Sequence, residues 1–232
     1  MSRSDSPAVE REPVAASVGG PPPRGIFVSF EGGDGAGKST QLDRVAEWIA
    51  SVTGRDVVRT REPGGTELGR TLRSLILHGE DLDARTEALL YAADRAHHVA
   101  TVIRPALDAG SVVLTDRYLD SSVAYQAGGR ELAADDVEQL SLWATGGLLP
   151  HVTVLLDIDP GRGLARLTGA PDRLERAGGE FHVRTRTAFL ERAAADSGRW
   201  LVLDAARPVA ELTDAIVSRV EPLLAAEQAG RR

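Results

Sequence analysis

Apolar residues fall along this chain in short continuous runs separated by longer stretches of helical period. The runs Ile26-Phe27-Val28-Ser29-Phe30, Val112-Val113-Leu114 and Val152-Thr153-Val154-Leu155-Leu156 lack the in/out alternation of a half-exposed sheet. They read as strands buried on both faces, the mark of a parallel sheet. The pattern predicts strands at 26–31, 56–61, 112–116, 152–157 and 200–204. Helices are expected near 38–51, 66–77, 85–109, 134–145, 160–167, 182–196 and 209–226. Alternating β and α elements joined by crossover helices predict a doubly wound α/β fold, a five-stranded parallel sheet with helices on both faces.

The flanks follow different rules. Residues 1–24 mix Ser, Pro, Gly and Ala with both charge signs and end in Pro21-Pro22-Pro23. Such a stretch buries too little apolar surface to order itself and is expected to be a disordered tail. Residues 227–232 are expected to fray. That leaves 25–226 as one domain, a size that 232 residues in total can support with a single core.

Charge and cysteine content narrow the chemistry. The net charge of −7, with arginines dispersed among acids, argues against a nucleic-acid partner. The chain has no cysteine, so it has no disulfide framework and no thiolate nucleophile or metal ligand, which is compatible with a reducing cytosol. No run approaches the length of a membrane span, and the N-terminus lacks the apolar core of a signal peptide. His97, His98, His151 and His182 show no metal-ligand spacing, and no role is assigned to them.

The strongest motif lies between the first strand and the first helix. Gly32-Gly33-Asp34-Gly35-Ala36-Gly37-Lys38-Ser39 fits GxxxxGK[ST], and Thr40 follows it into the helix. Glycines let such a loop curl so that backbone N–H groups face a phosphate, and the helix N-terminus adds its positive end. Lys38 is then expected at the β- and γ-phosphates and the Ser39 hydroxyl on Mg²⁺. Ligands of a parallel sheet gather at the carboxyl ends of its strands. There the chain places Thr60-Arg61-Glu62-Pro63-Gly64-Gly65-Thr66, Asp116-Arg117-Tyr118, Asp157-Ile158-Asp159-Pro160 and Asp204-Ala205-Ala206-Arg207-Pro208.

Arg61-Glu62-Pro63-Gly64-Gly65-Thr66, Asp116-Arg117-Tyr118 and Ser121-Ser122-Val123-Ala124-Tyr125-Gln126 together resemble the bacterial thymidylate kinases. The likeness extends through Leu90-Tyr91-Ala92-Ala93-Asp94-Arg95 to Asp172-Arg173-Leu174-Glu175, covering roughly residues 25 to 226. It implies a P-loop, nucleoside-monophosphate-kinase-like α/β/α fold and transfer of the γ-phosphoryl of ATP to dTMP with Mg²⁺. ATP and dTMP would be the ligands, a homodimer the assembly and the cytoplasm the location, with no membrane or nucleic-acid partner. By the same resemblance Arg95, Arg117 and Arg73 would hold the dTMP phosphate, and Tyr91 would stack on thymine. Ser122 and Gln126 would read the base edge with Ser121 nearby, while Tyr125 would disfavour ribose. Glu62 and Pro63 would border the substrate, with a cis bond between them plausible in a tight turn. Asp34 would contact the 3′-hydroxyl and lie near the metal with Ser39 and Asp116.

Physical chemistry asks for the same ingredients. Two polyanions react only where several guanidinium groups converge, and phosphoryl transfer needs positioning and charge neutralisation rather than a covalent nucleophile. The resemblance further implies a catalytic cation supplied either by the phosphate loop or by arginines in a lid; the loop here offers only Lys38, so by that resemblance the cation is expected from a lid at about 168–180. Arg173 is the expected residue, with Arg166 and Arg176 as supports. A dimer face is sought on the helix from Ala84 to Ala109, at Leu89, Leu90, Ala93, Val99 and Ile103, a stripe that could equally be core. Two other readings remain open: a kinase for a different nucleotide or nucleoside, and an ATP-gated module without transfer activity.

Overall fold

A computed structural model describes residues 25–130, 132–168 and 170–229. Residues 1–24 and 230–232, where the tail and part of the fraying end were expected, lie outside the described residues.

The chain runs β1 (Ile26–Glu31), α1 (Lys38–Thr53), β2 (Val57–Arg61), α2 (Glu67–His78), α3 (Ala84–His98) and α4 (Arg104–Asp108). It continues with β3 (Val112–Asp116), α5 (Leu119–Ser122), α6 (Ala134–Thr145), β4 (Val152–Asp157), α7 (Pro160–Leu164), α8 (Gly179–Ala195), β5 (Trp200–Asp204) and α9 (Val209–Ala229). The strands pair in the order β2-β3-β1-β4-β5, all parallel. All five expected strands are present. The sheet order reverses about β1, and a crevice opens there at the carboxyl ends of β1, β3 and β4.

Helices cover both faces, which is why the central strands are apolar throughout. On one face Val45, Ile49, Ile216 and Val220 of α1 and α9 pack on Val28, Phe30, Leu114 and Val154. On the other, Phe27 and Val113 meet Val99, Ile103, Leu107 and Tyr118. Val99 and Ile103, candidates for a dimer face, are therefore core of this chain.

Several elements differ from expectation: the helix expected at 160–167 ends at Leu164, and the one expected at 182–196 begins at Gly179. The helix expected over 85–109 is interrupted by a π-helical turn at Val99–Ile103, after which Pro105 opens α4. The segment after β3, given no element by periodicity, is helical: α5 runs straight into a π-helical stretch, Val123–Gly129. It is short and buried nearly throughout, so it shows no amphipathic period. At the other end α9 carries on to Ala229, past the expected start of fraying at 227.

Candidate functional site

The loop after β1 is shaped by its glycines. Gly32 has φ +130°, and a Cβ there would strike the carbonyl of Leu156 on β4. Gly37, at φ +92°, caps α1, and no side chain among the described residues caps the first N–H groups of that helix. The N–H groups of Lys38, Ser39 and Thr40 thus face the crevice as free donors at the positive end of the helix, a ready seat for phosphate. Lys38 is buried with its Nζ 3.1 and 2.9 Å from the carbonyls of Gly32 and Gly33. Burial and the charge of Arg117 lower its affinity for a proton.

Opposite the loop, β3 ends in Asp116 and Arg117. Ser39 Oγ donates to Asp116 Oδ2 at 2.9 Å, while Asp116 Oδ1 is buried with no hydrogen-bond partner among the described residues. A hydroxyl and a carboxylate with a lone pair to spare, beside a phosphate seat, suit a hard, oxygen-seeking cation such as Mg²⁺. Arg117 adopts φ +70°, alone among the described non-glycine residues. Its guanidinium donates to the Gly32 carbonyl at 2.9 Å, Ser121 Oγ at 3.2 Å, Asp34 Oδ1 at 2.6 Å and Tyr125 Oη at 3.1 Å, and it lies over the Tyr125 ring. Burial alone would raise the Asp34 carboxyl, but Arg117 and then Lys38 outweigh it and hold it below its usual value. Asp34, expected near the metal, pairs with Arg117 and shares a cleft with Ser39 and Asp116.

Two residues that the sequence reading passed over secure this arrangement. Glu31, the fully buried last residue of β1, accepts from the Tyr118 N–H at 2.8 Å and pairs with Ser121 Oγ at 2.5 Å. Burial first, and then the nearby charge of Asp120, push its carboxyl up to about 8. The second is His98, buried on α3, which contacts Glu62 Oε1 at 2.9 Å and Thr60 Oγ1 at 2.6 Å. Glu62 precedes a cis bond to Pro63. Its other oxygen accepts from Arg95 Nε at 2.8 Å.

Arg95 is itself only 1 % exposed, and it donates to Ser122 Oγ at 2.8 Å and Ser141 Oγ at 3.1 Å. Tyr91 and Arg95, four apart on α3, form one wall of a pocket beside Arg117, and Glu87, one turn earlier, lies behind that wall against Gln126. Asp34, Glu62, Pro63, Arg73, Ser121, Ser122, Tyr125 and Gln126 also line it, so the structure brings the whole expected acceptor set together, with Asp172 and Leu174 beside it. Arg73 reaches the pocket from α2 and donates to the Pro63 carbonyl at 3.1 Å. A second cleft, over the phosphate loop, shares Asp34, Glu62, Arg73 and Arg117 with the first.

The family model for thymidylate kinase matches residues 30–216. A thymidylate kinase from Bifidobacterium longum subsp. infantis is 55% identical over 205 residues, covering 86% of this chain and 88% of its own length. One from Leifsonia xyli is 57% identical over 201 residues, covering 85% and 95%. The crystal structure of thymidylate kinase from Ehrlichia chaffeensis superposes with a TM-score of 0.72 at 29% identity, over 84% of this chain and 98% of that one. The chain belongs to the thymidylate kinase family.

Against this family background, one expected site residue stands elsewhere. Arg173 does not line the cleft over the phosphate loop. It is buried, donates through Nε to the Ile76 carbonyl at 2.8 Å and lies 2.6 Å from Glu87 Oε2. The neighbouring Leu174 packs among Ile76, Leu77 and Phe181, so Arg173 and Leu174 of the expected lid are buried, while Pro171, Arg176 and Gly178 to Glu180 are exposed. The Arg173 guanidinium is thus engaged by a buried carboxylate and a backbone carbonyl rather than turned to the phosphate cleft. Arg166 does line the phosphate cleft, with Nη1 3.2 Å from the Gly35 carbonyl. Between Arg166, Arg207 and Leu212 lies a further recess against the outer side of the loop. No helix among the described residues is long and apolar enough to cross a membrane.

Proposed function

We propose that this thymidylate kinase transfers the γ-phosphoryl group of Mg·ATP to the 5′-phosphate of dTMP by direct in-line displacement, giving dTDP and ADP. One observation carries the reading. Two clefts, one over free N–H donors and one lined by Tyr91 and Arg95, meet across the shared residues Asp34, Glu62, Arg73 and Arg117. Such a meeting point supports an in-line arrangement of two phosphates, with guanidinium groups around the moving charge.

In this reading the N–H groups of Gly35 to Thr40 and the Lys38 ammonium seat the triphosphate, and the recess between Arg166 and Arg207 takes the adenosine end. Mg²⁺ would be held by Ser39 and Asp116, and would neutralise phosphate charge and draw electrons from the bond to be broken. Arg117 and Arg73 clamp the acceptor phosphate. Arg95, fixed by Glu62 and Ser122, presents its remaining donors to the nucleotide. Asp34 waits on Arg117 and is free to turn to the sugar 3′-hydroxyl when a phosphate takes its place. Tyr91 stacks on the base, Gln126 and Ser122 read its edge, and Tyr125 closes the space a 2′-hydroxyl would need. Arg166 supplies the cation expected from the lid.

We further propose a homodimer through α3 and α6, where Leu89 is 57% and Trp143 82% exposed on adjacent helices. An exposed indole of that size is characteristic of an interface. The reaction is placed in the cytoplasm, where its nucleotides are. A donor carrying a chiral, isotopically labelled γ-thiophosphate tests the in-line step: transfer to dTMP inverts the phosphorus, and retention would mean a phosphoenzyme intermediate.

A further inference from the structure

Glu87 is fully buried on α3, and the reaction as drawn gives it no task. Three side chains converge on it. Gln126 Nε2 donates to Oε1 at 2.9 Å, Arg130 reaches both oxygens at 3.4 and 3.3 Å, and Arg173 lies 2.6 Å from Oε2. A carboxylate held between two guanidinium groups offers acceptors only. The Gln126 amide must therefore turn its NH₂ end to Glu87. Gln126 is itself buried, 1% exposed, and lines the acceptor pocket, while its Oε1 has no protein hydrogen bond among the described residues.

We propose that Glu87 is a specificity-determining positioning residue: it locks the Gln126 amide with Oε1 toward the base, so that the pocket selects pyrimidines carrying a proton on N3. This rests on the reading of Gln126 as a base contact. Thymine and uracil offer N3–H to Oε1. Cytosine has a lone pair at N3, and two acceptors then face each other at a buried amide. An amide free to invert would present NH₂ to that lone pair and its oxygen to the cytosine amino group. Gln126 by itself therefore cannot tell the two bases apart. The carboxylate behind it decides which end faces the nucleotide.

Arg173 and Arg130 hold the lock in turn. They come from the segment before α8 and from the end of the π-helical stretch, and their charge keeps Glu87 where Gln126 needs it. The position of Arg173 away from the phosphates follows from this duty.

The test compares kcat/KM for dTMP and for 5-methyl-dCMP, which differ only in the groups at N3 and C4, in the full chain. Wild type should prefer dTMP strongly. Glu87→Gln, which can turn either amide end to Gln126, should cut that preference at least tenfold, chiefly by raising turnover of 5-methyl-dCMP. If Glu87→Gln leaves Arg173 unpaired and the protein does not fold, Glu87→Gln with Arg173→Leu removes the stranded charge and permits the same comparison. A preference unchanged while both substrates slow equally would mean that Glu87 is only structural, and would overturn the proposal. Gln126→Ala separates the two layers of the argument. If it reduces the preference and the Glu87 variants do not, the proposal alone fails. If it leaves the preference intact, Gln126 does not read the base and the pocket reading fails with it.

Discussion

Arg117 holds Asp34 at 2.6 Å from a backbone conformation, φ +70°, that an L-residue adopts only at a cost of ~1–3 kcal/mol. That cost aims one guanidinium at the Gly32 carbonyl, Ser121 and Asp34 together, at the junction of the two clefts. Arg117→Lys keeps the charge but loses the fork. It is expected to lower kcat/KM for dTMP by about 10²–10³, with most of the loss in kcat, in steady-state assays.

Arg166 and Arg173 should separate cleanly. Arg166→Ala, which removes a guanidinium from the phosphate cleft, is expected to lower kcat by about 10²-fold with an unchanged melting temperature. Arg173→Ala leaves the buried Glu87 without its nearest cation and should cost about 3 kcal/mol of stability. Denaturant unfolding beside steady-state kinetics checks both, and the reverse pattern would restore Arg173 to the phosphates.

Asp116 predicts a metal phenotype. Asp116→Asn keeps a side-chain oxygen but gives up the charge, so the Mg²⁺ concentration at half-maximal rate should rise roughly tenfold or more. A magnesium titration at saturating ATP decides it.

Glu31 predicts a pH dependence of stability. Its carboxyl rises to about 8 in the folded protein from an ordinary value of 4.5, so the folded state holds the proton more tightly than the unfolded one. The stability this gives is fully present below pH 4.5 and is lost as pH rises through about 8. Glu31→Gln, neutral throughout, should lack that decline. Melting curves from pH 5 to 9 should converge at the acid end and favour the variant at the alkaline end.

Trp143 predicts the assembly. Sedimentation at micromolar concentration should give a dimer for the wild type and a monomer for Trp143→Glu. A monomeric wild type would refute the interface.

Much of this was legible because the period of the pattern and the purpose of the residues coincide. Strands buried on both faces cannot alternate, so Val112 to Leu114 and Val152 to Leu156 announced a parallel sheet, and the phosphate loop announced its own seat. The segment 119–129 stayed hidden because a short helix walled in by protein carries no polar face. Glu31, Glu87 and His98 were missed for a related reason. Each acts on another side chain far away in sequence, and a lone Glu or His carries no spacing that reveals its partner. Arg173 was misplaced because sequence shows that an arginine lies in a polar, glycine-rich segment, and not that Glu87 across the fold claims it.

The most direct measurement is ADP release with Mg·ATP against dTMP, dUMP, dCMP, dGMP, UMP and thymidine, one acceptor at a time. The account predicts rapid turnover with dTMP, weaker turnover with dUMP, and little with dCMP, dGMP, UMP or thymidine. Equal or better turnover of dCMP or UMP would contradict the roles given to Gln126 and Tyr125, and ATP binding without turnover of any acceptor would contradict the enzyme itself.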